Sequence, residues 1–200
     1  MLSHPFIYQA FQEAGGFFSA RIKAISEFID IQPGMRVIDI GCGPGYIVKH
    51  LPPGLDYLGF DIDPSYIAHA NQKFGGRGGF HCCVFDAAAA RDFAPADIVM
   101  MNGVLHHISD TELAETLQNV RAVMRPGGLL LSLDGCFREG QGRFRKWLLD
   151  KDRGHFVRDV RGYRNALTGV FDCVDLHIRE NYSRIPYTFV IGVSKKSDHP

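Results

Sequence analysis

The sequence predicts an α/β fold, a mostly parallel sheet with helices on both faces, and three observations carry that reading. At Val37-Ile38-Asp39-Ile40-Gly41-Cys42-Gly43-Pro44-Gly45-Tyr46 a run of β-branched apolar residues breaks into glycines at alternate positions, the pattern of a buried strand entering a tight turn and then a helix. Asp97 to Asn102 is a near-continuous apolar run, as expected of a parallel strand buried on both faces. Strand and helix patterns alternate across short connections, and that alternation specifies a parallel sheet.

A length of 200 residues with 46% hydrophobic composition suits one α/β domain and is short for two, so residues 1–200 are expected to form one domain. Twenty-two basic residues balance twenty-two acidic ones, and no global charge steers the chain toward nucleic acid or an anionic membrane. The charge is uneven, however. Residues 138–164 hold 9 Lys/Arg against 4 Asp/Glu, read here first as a solvated helical face and second as an anion site. Five cysteines (Cys42, Cys82, Cys83, Cys136, Cys173) without C-x-x-C spacing suit buried thiols in a reducing compartment. No signal-peptide pattern precedes the first basic residue, Arg21, and no run approaches a membrane span, so a soluble, cytoplasmic protein is expected.

Taken in order, residues 5–30 carry helical spacings interrupted by Gly15-Gly16, which predicts two helices with a hinge, either a lid or a cover over the sheet within residues 1–32. After the glycine-bearing strand comes Tyr57 to Asp61, with Asp63 as N-cap and Pro64 at the first helical position. Asp61 lies 20 residues after Gly41 and ends a second strand, where a carboxylate can take both hydroxyls of an adenosine ribose. A third strand near Gly79–Phe85 leads to Asp86. Asn102-Gly103-Val104-Leu105-His106-His107 follows the fourth, beside the glycine turn, because ligands of open α/β sheets bind at the carboxyl ends of strands. Ser109 and Glu112 form a capping box for a helix bearing Leu113, Leu117, Val120 and Met124, which Pro126-Gly127-Gly128 stops before the strand Leu129–Asp134. Regularity lapses over 135–158, placing an insertion over the pocket. A helix near 159–170 and two runs, Phe171–Ile178 and Pro186–Ser194, joined as an antiparallel hairpin, complete the chain.

The glycine turn, Asp61, Asp86 and the Arg125-Pro126-Gly127-Gly128 turn, occurring in this order, resemble the class I S-adenosylmethionine-dependent methyltransferases, especially the small-molecule group that includes quinone-biosynthesis methylases. The resemblance implies a Rossmann-like three-layer sandwich, a seven-stranded sheet of order 3-2-1-4-5-7-6 with an antiparallel last strand. It implies that Gly41, Cys42, Gly43 and Gly45 cradle the methionine end of S-adenosylmethionine while Asp39 holds the turn and orients the cofactor's amino group. Asp61 would bind the ribose, Ile62 would pack on adenine, Asp86 and Ala87 would meet its edge, and Asn102 would contact the methionine amine. A Rossmann dehydrogenase is the competing reading, but its G-x-G-x-x-G/A fingerprint meets Tyr46 at the sixth position, a bulky side chain where tight packing requires Gly or Ala. A non-catalytic cofactor-binding regulator is the other alternative.

The expected reaction is in-line methyl transfer to a small acceptor, apolar by the aromatic N-terminal helices or anionic by the basic segment. Positioning supplies roughly 7–11 kcal/mol, whereas a general base adds about 10²–10⁴-fold. His106 and His107 are the candidate bases, and Arg153 and Arg158 the candidate anion clamp. No metal is expected, since no metal-ligand spacing is present.

Overall fold

The computed structural model describes residues 15–197 except Ala94 and Arg153. Seven strands form one sheet of order β3-β2-β1-β4-β5-β7-β6: β1 (Arg36–Ile40), β2 (Asp56–Asp61), β3 (Gly79–Cys82), β4 (Ala96–Asn102), β5 (Met124–Gly135), β6 (Cys173–Arg179) and β7 (Phe189–Lys195). All pairings from β3 through β5 are parallel, and β7 runs antiparallel to both β5 and β6. The expected strand order and the antiparallel last strand are therefore both present.

The central strands β1, β4 and β5 bury both faces, so neighbouring residues go to opposite layers. Val37, Met100 and Leu131 join one core with α1 (Phe17–Phe28) and α2 (Pro64–Phe74), whereas Ile38, Val99 and Leu130 join the other. That second core is covered by α3 (Ala87–Asp92), α4 (Asp110–Val123) and α6 (Val160–Thr168). The cap signals operate as read: Asp63 accepts from the amides of Ser65 and Tyr66, and both halves of the Ser109–Glu112 capping box form. Of the two N-terminal helices, the first falls outside the described residues, and Gly16 stands at the start of α1 with φ +77°.

Local readings are corrected in three places. A five-residue 3₁₀ turn, Tyr46–His50, replaces the helix expected after the glycines, with Tyr46 buried against His69 and Phe74. β3 stops at Cys82, short of Phe85. α4 ends at Val123 because Met124 already pairs with Ala96. The Arg125–Gly128 stretch is a register break that the Gly127 amide ties to the Lys196 carbonyl at 3.0 Å, so the stretch becomes part of β5.

The irregular 135–158 segment contains a helix of its own, α5 (Arg143–Asp150). Arg158 fastens the end of this segment to the turn after β4. Its Nη1 donates to the Leu105 carbonyl at 2.7 Å and its Nη2 to the Ile108 carbonyl at 2.8 Å, while Nε meets Asp110 at 2.8 Å. This corrects the expectation of an anion clamp: the guanidinium fork of Arg158 is spent on the chain itself, and Arg153 lies outside the described residues. Arg158→Ala is expected to destabilise the fold by about 2–3 kcal/mol, because two inward carbonyls lose a charged donor, with Asp110 contributing little at its exposed position. Urea denaturation measures this, and unchanged stability with weakened acceptor binding would restore the clamp.

Candidate active site

Register decides which side chains meet. Ile40 pairs with Phe60 of β2 and with Met101 of β4, so the next residues, Gly41, Asp61 and Asn102, stand abreast at the carboxyl edge of three adjacent strands. The chain must turn sharply there. Gly41, Gly43 and Gly45 have φ of +74°, +56° and +77°, a region that side chains with Cβ rarely enter. A Cβ on Gly41 would also run into Val104. Backbone amides of Gly41 and Cys42 both donate to the Phe60 carbonyl, at 2.7 and 3.0 Å, which fixes the turn to β2. The Cys42 thiol is buried against Gly59, so this residue offers backbone to the site.

Asp61 spans the turn. Its Oδ2 accepts from the Gly43 amide and its Oδ1 from the Asp63 amide, each at 2.9 Å. Burial raises its pKa, and the two amides oppose that rise. Asp39 is almost fully buried one turn below. Its Oδ2 takes the Tyr57 hydroxyl at 2.7 Å, but Oδ1 has no partner among the described residues. Burial pushes its pKa up to about 7, against the pull of Tyr57 and of Arg21 on α1. Arg21 also lies close to Gly103, and sequence reasoning passed over it. Asn102 is buried, and neither its Oδ1 nor its Nδ2 has a partner among the described residues. Buried polar atoms are seldom left this way, so this edge is built for a polar occupant.

Beyond the ends of the parallel-paired β2 and β3, Ile62 is 73% exposed and Val84 69%, two large apolar side chains open to solvent. Val84 was not singled out in the sequence. Asp86 caps α3, its Oδ1 accepting from the Ala88 and Ala89 amides at 2.9 and 3.0 Å, and Ala87 is exposed beside it. The nine cofactor-side positions from Asp39 through Ala87, with Asn102, thus border one strand edge.

The two histidines differ. His106 is buried, with Nδ1 2.6 Å from Asp134 Oδ1 at the end of β5 and Nε2 3.3 Å from Asp152 Oδ1 after α5. Tyr187 donates to Asp152 Oδ2 at 2.5 Å, and the Phe156 amide donates to the His106 carbonyl at 3.0 Å. A Cβ on Gly154 would collide with the imidazole. Burial alone would discharge this ring, yet hydrogen bonds to Asp134 and Asp152 outweigh it and push the pKa up to about 9. Asp152 in turn is held below the usual carboxylate range by the imidazolium, despite its burial. His106 therefore carries its proton at neutral pH with both nitrogens engaged, which corrects its reading as a free base. His107 is exposed, its ring 4.2 Å from that of His106, and burial of its inner side followed by the neighbouring charge lowers its pKa. Asp134, Asp152 and Tyr187 went unread in the sequence. For Asp134 the available signal was a carboxylate ending a strand, the same feature that marked Asp61.

A protein-family model described as a methyltransferase domain matches residues 38–130. Phosphoethanolamine N-methyltransferase 1 of Triticum aestivum is 25% identical over 186 residues, which are 88% of this chain and 36% of that protein. Human N-acetylserotonin methyltransferase, solved in complex with SAM, aligns with a TM-score of 0.70 at 21% identity, covering 96% of this chain and 56% of that one. The [4+2]-cyclase SpnF aligns at 0.67 and 15% identity, over 89% of this chain and 80% of that one. At such identities the two structures show a shared fold. The chain spans 6%, 36% and 58% of the lengths of the first three curated relatives it matches. The methyltransferase-domain model runs from within β1 through the glycine turn into β5, and the sheet has the strand order that the resemblance to class I S-adenosylmethionine-dependent methyltransferases implies.

Proposed function

We propose that the protein transfers a methyl group from S-adenosylmethionine to a small-molecule acceptor. The observation that carries this reading is the row of Gly41, Asp61 and Asn102 at one sheet edge, with the unpartnered Asp39 Oδ1 and Asn102 amide beneath it. These groups fit the cofactor: an ammonium answers Asp39 Oδ1 and the Asn102 oxygens, ribose hydroxyls answer Asp61, and the exposed Ile62–Val84 pair takes the adenine beside Asp86 and Ala87. When bound, S-adenosylmethionine supplies a methyl group activated by sulfonium charge, so the chain's principal task is alignment. Gly43 and Gly45 let the backbone close on the cofactor. A dinucleotide reading finds Tyr46 buried where its fingerprint needs a small residue, and SpnF's name keeps a non-methylating use of the fold as the second reading.

We assign the proton chemistry to His107 Nε2 or Nδ1, since a neutral, exposed imidazole can take a proton from a hydroxyl or ammonium acceptor. His106 acts as a positioning residue that holds the 152–158 loop against the β4 turn, and residues 135–158 form the acceptor side of one domain. Phosphoethanolamine and N-acetylserotonin, named for two of the similar proteins, are small acceptors of opposite polarity, consistent with a shared cofactor half and a divergent acceptor half. No described helix is long and apolar enough to cross a membrane; Cys82, Cys83 and Cys173 are exposed, against the expectation of buried thiols, and exposed free thiols suit a reducing cytoplasm, where we place the protein.

Asp61→Ala is expected to weaken S-adenosylmethionine binding roughly 10–100-fold, the worth of about 1.5–3 kcal/mol for hydrogen bonds to a charged group, with the fold retained. Isothermal titration calorimetry reads this, and unchanged affinity would reject the cofactor site. For the histidines, the folded pKa of His106 lies above its unfolded value. Its stabilisation is therefore complete below about pH 6.5 and lost as pH rises through about 9. His106→Gln should cost about 3 kcal/mol or more and abolish that alkaline loss, because two carboxylates lose their cation. His107→Gln should leave stability unchanged while removing the acid-side fall in turnover that protonation of its ring produces. Identical pH–stability curves for wild type and His106→Gln would contradict the assignment.

A further inference from the structure

Five large apolar side chains are exposed among the described residues: Ile62, Val84, Phe144, Trp147 and Phe156. The first two belong to the cofactor edge. The other three lie within the basic 138–164 segment, and none of them was given a role in holding the cofactor or moving a proton. Phe144 and Trp147, 55% and 53% exposed, are three residues apart on α5 and stack with centroids 5.9 Å apart and planes inclined by 19°. α5 holds to the sheet by its opposite side, where Leu149 is buried against Gly135 and Tyr187. The exposed side also carries Arg143, Lys146 and, at the C-cap, Lys151, with Asp150 as the acid among them. Arg145 turns away toward Glu180. In a chain whose charges cancel overall, this patch is cationic and aromatic.

We propose that the exposed face of α5 docks the protein on an anionic lipid surface, with Phe144 and Trp147 entering the interface and Arg143, Lys146 and Lys151 meeting the headgroups. Charge complementarity selects this occupant. Aromatic rings with a polar tip settle at the boundary between water and acyl chains, and flanking cations add attraction to anionic lipid. A docking helix of this kind lies on the surface and needs no membrane span. Its C-terminal end leads into Asp152, which binds His106, so docking brings lipid close to the acceptor side of the site. On the methyl-transfer reading, the acceptor is then an apolar molecule that partitions into the bilayer.

Trp147 is the only tryptophan in the chain, so its fluorescence reports directly on this face. The full chain should show a blue-shifted emission and float with vesicles of phosphatidylcholine and phosphatidylglycerol, and both signals should weaken at high salt. Phosphatidylcholine vesicles alone should bind far less. Lys146→Gln should weaken partition into the anionic vesicles about fivefold, and Phe144→Ala should weaken it while leaving the melting temperature near that of the parent. No emission shift and no flotation would overturn the proposal, as would equal binding to neutral vesicles. A blue shift that grows with protein concentration in the absence of lipid, with dimers in sedimentation, would assign the face to a second copy of the chain and overturn it too. None of these readouts needs cofactor or acceptor, so failure of docking is distinguishable from failure of S-adenosylmethionine binding at Asp61.

Discussion

Three parallel strands that end level impose the main constraint on this molecule. Because Ile40 pairs with both Phe60 and Met101, the residues that follow on β1, β2 and β4 have to share one edge, and the backbone leaving β1 must rise out of the sheet between its neighbours. Only positive φ makes that exit short enough, which is why Gly41, Gly43 and Gly45 occupy the turn. The Gly43 amide would be stranded there without a partner, and the Asp61 carboxylate accepts it. One hydrogen bond therefore shapes the turn and fixes the acid where a ribose would lie. The same geometry leaves Asp39 Oδ1 and the Asn102 amide unsatisfied, at a cost of about 1–3 kcal/mol for each buried group. A fold that carries such a cost has its polar atoms arranged for a ligand.

The other half of the edge is organised by charge. His106 lies between Asp134 on β5 and Asp152 after α5, and a neutral imidazole could not donate to both. Its proton holds the irregular segment onto the sheet, aided by Arg158 on the carbonyls of Leu105 and Ile108. The basic residues of this segment thus divide by depth. Arg158 works inward as structure, whereas Arg143, Lys146 and Lys151 face outward beside two aromatic rings.

Much of the cofactor half was legible in the sequence because its determinants are local. Alternating glycines, an acid after each of two strands, and the cap signals at Asp63 and Ser109 act within a few residues, so spacing reveals them. Tyr46 was legible as a bulky residue at the sixth position of the glycine pattern, yet the 3₁₀ geometry after it depends on where α2 places His69 and Phe74. The extent of α4 was misjudged for a similar reason: Met124 and Arg125 continue the helical pattern, but pairing of Met124 with Ala96 wins. The state of His106 was illegible, because both of its carboxylates come from distant parts of the chain and only tertiary structure brings them together. Arg158 had the chemistry of an anion clamp in isolation, and its nearest acceptors proved to be backbone.

The central claim is that the edge formed by Gly41, Asp61 and Asn102 holds S-adenosylmethionine rather than a dinucleotide. The most direct measurement is the melting temperature of the full chain with saturating S-adenosylhomocysteine and, separately, with NAD. At ligand near 100 times Kd, binding stabilises by about 2.7 kcal/mol, which for a chain of this size raises the melting temperature by roughly 5–10 °C. The account predicts that rise with S-adenosylhomocysteine and none with NAD; a rise with NAD alone would contradict it.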